Sequence, residues 1–223
     1  MTTELRRPGL RERNRIRNRA AILDAACDLF VERGYHATTI TDIAAAAGIA
    51  PRTFFGYFPT KQSLLFPESQ ARIEDTVAAV LGGPAESRGP LDALLRALDL
   101  ALAQSDDMTS RLAEIRTQLL RDEPELGEIG ARYQYQAAHR IAQTLMRAYP
   151  ALSPVEAGAL AGAFVGAAGG AVYAVLGNSD RPAGRDPAAM IRAAVAAVLS
   201  EPGRNLEGQG SYSSGSRREG PPT

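Results

Sequence analysis

Arginine dominates the start of the chain and is its clearest chemical feature. From Arg11 onward the arginines stand two residues apart, which on a helix scatters charge around the cylinder. Guanidinium groups neutralise phosphates and release their counterions. We therefore predict that residues 1–17 form a flexible basic arm for the backbone or minor groove of a nucleic acid, the alternative being a disordered soluble tail. The arginines are Arg6, Arg7, Arg11, Arg13, Arg15, Arg17 and Arg19.

The charge of the chain is unevenly distributed although the formal net charge is zero. Residues 1–63 carry ten Lys/Arg and six Asp/Glu, a net of +4, whereas residues 64–200 carry twelve and sixteen, a net of −4. A basic front and an acidic back suit a nucleic-acid-facing domain joined to one that is not, although a mixed surface can give the same division by chance.

Side chains for catalysis or metal binding are sparse. The sequence has two isolated histidines, His36 and His139, with no acidic–histidine cluster. Because an enzyme needs convergent acid, base or metal groups, we predict neither catalysis nor a metal or cofactor. The single cysteine, Cys27, lies in an apolar helical pattern and is predicted to be a buried thiol. A chain without a possible internal disulfide or a secretory signal is expected in the cytoplasm.

Residues 38–61 have the layout of a helix-turn-helix. Thr39 and Asp42 have capping-box spacing, Gly48 supplies a positive φ, and Pro51 suits the first turn of a second helix. This arrangement places a helix in the DNA major groove. We expect a bracing helix over 18–33 and, after Thr60, a longer helix that a break at 82–90 ends. The predicted core is Ile22, Ala26, Leu29, Phe30, Ile40, Ile43, Ile49, Phe54 and Phe58.

The run ILDAACDLFVERGYHATTITDIAAAAGIAPRTFFGYFPTKQSLL resembles the DNA-binding domain of the TetR family of transcriptional regulators, over about residues 18–66. The resemblance implies that Arg52 and Thr53 face base edges, where they suit guanine and a thymine methyl. Ala50 departs from the family, which usually has a capping serine there, so we expect a weaker helix cap. The DNA contacts that the resemblance implies are Thr39, Thr41, Pro51, Arg52, Thr53, Phe55, Tyr57 and Lys61.

Residues 91–149 have the apolar periodicity of three helices. The predicted fold class is all-α with about nine helices and a disordered tail at 201–223. The resemblance divides it into a helix-turn-helix domain at 18–66 and a ligand-binding and dimerisation domain at 67–200. In TetR relatives this second domain encloses a small-molecule pocket, and the alternative for each residue is ordinary core packing. The pocket predicted on that resemblance contains Leu98, Leu112, Ile115, Tyr133, His139 and Phe164.

A run without charges follows Glu156, with small residues at about every fourth position. Such a run is typical of a membrane helix, so a single-span membrane-associated regulator using 157–177 is one alternative. Much of the run is glycine and alanine, and its flanks lack clustered lysine or arginine. Both features argue against a membrane-spanning helix. The resemblance implies instead that helices 155–176 and 187–199 pair with a second subunit. The predicted interface is Gly158, Gly162, Gly166, Gly169, Tyr173, Ile191 and Val195.

These features together predict a homodimeric regulator that binds double-stranded operator DNA. We expect a repressor released from a palindromic operator by a small apolar effector, with an activator of the same family as the alternative. The segments PRTFFGYFPTKQSLLF and RLAEIRTQLLRDEPEL are similar to regulators of the mycofactocin-system type, whose C-terminal domain is linked to acyl-CoA-like ligands. On that resemblance Arg111, Arg116 and Arg121 either meet an anionic head group or form a solvated helix face.

Overall fold

The computed structural model describes residues 9–67, 69–86, 89–104, 108–177 and 184–200. Within these ranges the chain is all-α and has no strand, as the sequence predicted. The N-terminal helices are α1 (Leu10–Arg33), α2 (Ile40–Ala46) and α3 (Pro51–Phe54), followed by a 3₁₀ helix, Gln62–Leu65. The rest of the chain forms α4 (Ser69–Glu86), α5 (Pro90–Gln104), α6 (Arg111–Asp122), α7 (Pro124–Ala148), α8 (Pro154–Leu176) and α9 (Pro187–Ser200).

The start of α2 has the local structure that its sequence predicts. The Thr39 hydroxyl accepts a hydrogen bond from the Asp42 amide at 3.1 Å, and the Asp42 carboxylate accepts one from the Thr39 amide at 3.0 Å. This capping box fixes where α2 begins. Gly48 has a φ of 68° at the turn into α3, where Ala50 offers no side-chain cap and Pro51 occupies the first turn. Both effects were expected from the residue types.

A compact apolar cluster holds α1, α2, α3 and the 3₁₀ helix together. Phe54 is fully buried and Phe58 nearly so, as predicted. Ile40 and Ile49 are only partly buried at its edge, although they too were predicted as core. Cys27 is buried in the same cluster, and burial raises the pKa of its thiol to about 11, so it is a neutral packing residue at pH 7.

Helix α1 begins earlier than the sequence predicted. It starts at Leu10, so residues 10–17 of the predicted flexible arm are helical, while residues 1–8 lie outside the described part of the chain. Arginine is a good helix former, and the two-residue spacing spreads its charges around the exposed helix rather than stacking them on one face. The predicted tail at 201–223 also lies outside the described residues.

The predicted continuous helix after Thr60 is interrupted at Phe66. Its backbone, with φ −130° and ψ 50°, separates the 3₁₀ helix from α4. The residue before a proline is disfavoured in the α region, and Pro67 follows immediately. The predicted break at 82–90 also comes later than expected, since α4 continues to Glu86. Because of this interruption, the N-terminal unit ends at Leu65.

Helices α4 to α9 form a bundle around a second apolar cluster. Helix α6 contributes to both clusters: Leu112 and Ile115 pack with the N-terminal cluster, whereas Ala113 packs with the second. One short helix therefore contacts the core of each part. Surface ion pairs cross the same boundary, since Arg111 of α6 contacts Asp28 of α1, and His36 Nε2 lies 2.9 Å from Glu123 Oε2.

Helix α8 is long and apolar enough, by length and composition alone, to cross a membrane. Its most apolar window has a mean hydropathy of 1.8, with 28% of it buried inside the protein. The buried side of α8, which includes Ala157, Ala161 and Phe164, packs in the second cluster among the other helices. What remains exposed is largely glycine and alanine, which gives a modest gain on transfer to lipid.

The capping box gives a pH-dependent prediction. Hydrogen bonds from the Thr39 hydroxyl and amide hold the pKa of Asp42 below its usual value. A carboxyl with a lowered folded-state pKa stabilises the fold above its unfolded pKa, about 4, and loses that contribution as pH falls through the folded value. The melting temperature of the unmodified protein should therefore be higher than that of the Asp42→Ala variant at neutral pH, and this difference should shrink below about pH 4. Thermal unfolding of both proteins across this range checks it; an equal difference at every pH would contradict it.

Candidate DNA-binding surface and effector cavity

The turn between α2 and α3 presents a group of exposed side chains on a rigid base. Arg52 and Thr53 lie exposed on the first turn of α3, directly before the buried Phe54. Phe55 follows with 56% of its surface exposed, and its ring meets that of Phe54 edge to face at 5.6 Å. The buried phenylalanine therefore fixes the direction in which its neighbours point. Thr39, Thr41 and Pro51 are exposed on the same two helices.

Tyr57 is half-buried beside this surface. Its hydroxyl accepts a hydrogen bond from Asn18 Nδ2 at 3.1 Å, which ties the end of the helix-turn-helix to α1. The phenolic oxygen keeps a hydrogen to donate, so the tie leaves Tyr57 able to meet a phosphate.

Lys61 contacts backbone carbonyls within the N-terminal unit. Its ammonium donates to the carbonyls of Tyr35 at 2.7 Å and Thr38 at 2.8 Å, and lies 4.3 Å from the centre of the Tyr35 ring. Partial burial lowers its pKa. These bonds join the start of the 3₁₀ helix to the turn after α1, and the phosphate contact of Lys61 stays a prediction. The partners of Lys61 are backbone carbonyls, whose position no sequence pattern reveals.

The exposed part of α1 extends the basic surface. Arg11, Arg13, Arg15 and Arg17 are all exposed on its first two turns. Arg19 is different: its guanidinium donates to the Pro67 carbonyl at 2.9 Å and lies 5.3 Å from the centre of the Phe58 ring. It therefore holds α1 to the segment before α4 rather than facing a nucleic acid.

A cavity of about 420 Å³ lies within the helical bundle. Its wall comes from α4 to α8, with Phe66 at the end nearest the N-terminal helices. Most of the lining is apolar, and the Phe66 and Tyr133 rings pack at a centroid distance of 4.6 Å. A largely apolar wall of this volume is typical of a small-molecule site. The polar lining consists of Arg72, Thr76, Arg116, Thr117, Tyr133, Gln134 and Tyr173.

The outward face of α8 is a stripe of small residues. At Gly158, Gly162 and Gly166, no heavy atom of the described chain lies within 4 Å of where a Cβ would stand, helix backbone and chain neighbours aside. Val155 on the same helix is 80% exposed, and Val198 of α9 is 59% exposed. Small side chains allow two helices to approach closely. The face is therefore shaped for contact with another helix.

Comparison with known proteins identifies the N-terminal unit. The sequence model described as "Bacterial regulatory proteins, tetR family" matches residues 22–66. This stretch contains the capped α2, the Gly48 turn and the exposed start of α3. Residues 22–66 therefore belong to the DNA-binding domain of the TetR family.

Curated relatives share part of this sequence, and solved structures share its fold. The chain is 36% identical over 100 residues to the HTH-type transcriptional regulator TcmR of Streptomyces glaucescens, a match covering 45% of this chain and 44% of TcmR. It thus spans less than half the length of that relative. A TetR-family regulator from Syntrophomonas wolfei shares the fold at a TM-score of 0.59 and 16% identity, covering 84% and 95% of the two chains. FadR of Thermus thermophilus, solved with lauroyl-CoA, shares the fold at a TM-score of 0.50 and 24% identity, and the match covers 81% of this chain and 93% of FadR.

The cavity contains half of the residues predicted for it. Leu98, Tyr133 and Phe164 line it. Leu112 and Ile115 do not, because their side of α6 packs against the N-terminal cluster. His139 is exposed on α7, stacked on the Tyr135 ring at 6.3 Å. For these three the prediction is wrong, since helical periodicity marks a buried face without saying which neighbour covers it.

The three arginines of α6 separate in the same way. Arg111 pairs with Asp28 and Arg121 with Asp122, both at the surface, as expected for a solvated helix face. Arg116 is buried with 7% of its surface exposed and lines the cavity. A solvated face was therefore the wrong interpretation for Arg116.

The predicted dimer residues also divide. Gly158, Gly162 and Gly166 lie on the exposed face of α8, and Tyr173 is 49% exposed beyond them. Ile191 and Val195 are fully buried within the chain, so they are not interface residues. Gly169 faces the cavity, where a Cβ would come within 2.5 Å of Gln134 Nε2. These three predictions are corrected: the inner sides of α8 and α9 pack within one subunit.

Among the described residues, no three or more His, Cys, Asp or Glu side chains form a group that could bind a metal ion.

Proposed function

We propose that this TetR-family chain is a sequence-specific transcriptional regulator that binds operator DNA as a homodimer. The single observation that carries the proposal is the exposed Arg52–Thr53 pair on α3, fixed by the fully buried Phe54 beside it. A guanidinium suits the O6 and N7 acceptors of guanine in the major groove, and a threonine methyl suits thymine. Pro51 lies with this pair at the base edges. Around them, Thr39, Thr41 and Tyr57 contact the DNA phosphates, and Phe55 also touches the DNA.

The exposed arginines of α1 extend this surface. Arg11, Arg13, Arg15 and Arg17 lie outside the N-terminal cluster, where they can neutralise phosphates beside the site that α3 reads. Phosphate contacts position a protein on the duplex without reading its sequence. Affinity of this kind falls steeply with salt, whereas the preference for one operator depends on Arg52 and Thr53.

The dimer would form through the outward face of α8 and the exposed side of α9. A two-fold axis through this face places the same stripe of glycines against itself. The two α3 helices must then lie about 34–36 Å apart to read successive major grooves, which requires a near-palindromic operator. A chain used in this way is expected in the cytoplasm and without catalytic activity.

The cavity supports control by a small, largely apolar effector that releases the repressor. Its apolar wall and aromatic rings suit an acyl chain, the ligand class named for the Thermus thermophilus FadR complex. Helix α6 contacts both the cavity and the N-terminal cluster, so a change in its position alters the support of α3. An effector acts only through a difference in its affinity for the DNA-binding and released states.

The DNA contact of Arg52 tests the function directly. Fragments of genomic DNA bound by the purified protein give the operator sequence. Arg52→Ala should weaken binding to that operator by about 1–3 kcal/mol and relax the base preference at one position in it. The control is Arg132→Ala, which removes an exposed arginine from α7, outside the helix-turn-helix. Fluorescence anisotropy at fixed salt measures both. Unchanged operator selection by Arg52→Ala would count against this role, and a reporter gene distinguishes a repressor from an activator.

A further inference from the structure

Two arginine side chains contribute to the wall of the otherwise largely apolar cavity. Arg72 and Arg116 both contribute to its wall, from α4 and α6. The other polar lining residues are neutral, and none of the described lining residues is a carboxylate. Both arginines also contact other groups of the protein. A ligand would therefore add to these contacts or exchange with them.

Arg116 links the cavity to the N-terminal unit. Its Nη1 donates a hydrogen bond to the carbonyl of Leu65 at 3.1 Å. Burial lowers the pKa of Arg116 to about 10, so it stays a cation at pH 7. A buried cation is costly unless it is paired or hydrogen-bonded, which makes its position sensitive to any anion placed beside it.

The volume limits the size of the ligand. A cavity of about 420 Å³ lies towards the lower end of the range for small-molecule sites, and a medium-length fatty acid or a two-ring aromatic acid is of a size that suits it.

We propose that the effector is a small amphipathic organic acid whose carboxylate binds the Arg116 guanidinium inside the cavity and thereby weakens the hold of Arg116 on the Leu65 carbonyl. The apolar body of the acid would lie against Phe66, Tyr133 and Phe164. The release of DNA that follows rests on the proposed function; the recognition of the carboxylate does not.

The coupling follows from where Leu65 lies. It is fully buried in the N-terminal cluster, at the end of the 3₁₀ helix and directly before the interruption at Phe66. The same cluster contains Phe54, which supports the exposed start of α3. An anion that attracts the guanidinium therefore acts on the junction through which the N-terminal unit is held to the bundle.

Isothermal titration calorimetry with decanoate and decanol tests the recognition step without DNA. The unmodified protein should bind decanoate about 10- to 100-fold more tightly than decanol, the range expected for one charge-assisted hydrogen-bonded pair. Arg116→Gln should remove this preference, so that decanoate and decanol bind to it about equally. The matched control is Arg121→Gln, on the same helix but outside the cavity, which should keep the preference.

Three results would overturn the proposal. Equal binding of decanoate and decanol by the unmodified protein removes the carboxylate from the site, and this comparison needs no variant to fold. Tighter binding of decanoyl-CoA than of decanoate shows that the coenzyme, not an anion inside the cavity, is recognised. A preference that survives in Arg116→Gln, when circular dichroism shows that this variant is folded, assigns recognition to another group.

If Arg116→Gln does not fold, Arg116→Lys provides the test. This variant keeps a cation and should retain a weakened preference for decanoate, and either complete loss or full retention of the preference would count against Arg116.

The operator measured by anisotropy tests the coupling separately. Decanoate should lower the DNA affinity of the unmodified protein and leave that of Arg116→Gln unchanged. Decanoate that binds through Arg116 but leaves DNA affinity unchanged overturns the coupling step. A protein that binds decanoate through Arg116 but selects no DNA contradicts the proposed function and leaves the carboxylate site in place.

Discussion

A Gly166→Glu variant is expected to be monomeric at concentrations where the unmodified chain is a dimer. Gly166 lies exposed on the outward face of α8, with open space where a Cβ would stand. Within one subunit the substitution meets nothing, and replacing a mid-helix glycine stabilises the helix by about 0.5–1 kcal/mol. Any loss must therefore arise at a surface that a second subunit covers.

The cost at that surface is large because a two-fold axis introduces the carboxylate twice. An uncompensated buried charge costs about 3–5 kcal/mol, so the dissociation constant should rise by more than about a hundredfold. Light scattering coupled to size exclusion measures the mass, and circular dichroism checks that α8 remains helical. Operator affinity should fall with the dimer, since each half-site is then bound alone.

Two control substitutions make the test specific. Gly166→Ala adds a single methyl group to the same face and should weaken the dimer far less than a charge does. Arg147→Glu places a carboxylate on α7, outside the proposed interface, and should leave the mass unchanged. A persistent dimer in Gly166→Glu would show that the subunits meet through another surface.

The N-terminal unit was predictable because its signals are local. The capping box of Thr39 and Asp42, the positive φ of Gly48 and the proline at the start of α3 each depend on a few neighbouring residues. The alternation of Phe54, Phe55 and Phe58 between buried and exposed follows from one short segment. In such cases residue type and spacing already contain most of the physical information.

The cavity and the outer face of the bundle were less predictable, because they depend on which helices become neighbours. Ile115 and Arg116 are adjacent on α6, yet one packs with the N-terminal cluster and the other lines the cavity. Ile191 is apolar enough for an interface but is buried within its own subunit. Periodicity gives the angular position of a residue on its helix and not the identity of the element opposite.

Phe54→Ala is expected to destabilise the N-terminal unit by about 3–5 kcal/mol, whereas Phe55→Ala should have a much smaller effect. The two residues are adjacent and chemically identical, but Phe54 is fully buried and Phe55 is 56% exposed. Removing the Phe54 ring leaves a cavity among the side chains of α1 and α2, including Ile43. Removing the Phe55 ring loses mainly its edge-to-face contact, worth about 0.5–1.5 kcal/mol.

The two variants should impair different properties: Phe54→Ala the stability of the fold, and Phe55→Ala the binding of DNA. Amide hydrogen exchange of α1 and α2 should accelerate strongly in Phe54→Ala and little in Phe55→Ala. For Phe55→Ala the expected loss is in operator affinity at unchanged fold, because its ring lies exposed beside Arg52 and Thr53 where DNA would pass. Equal destabilisation by both would mean that Phe55 also supports the cluster, and normal DNA binding by Phe55→Ala would restrict base and backbone contact to its polar neighbours. Since both variants remove the same ring, any difference between them must come from the side of α3 on which each residue lies.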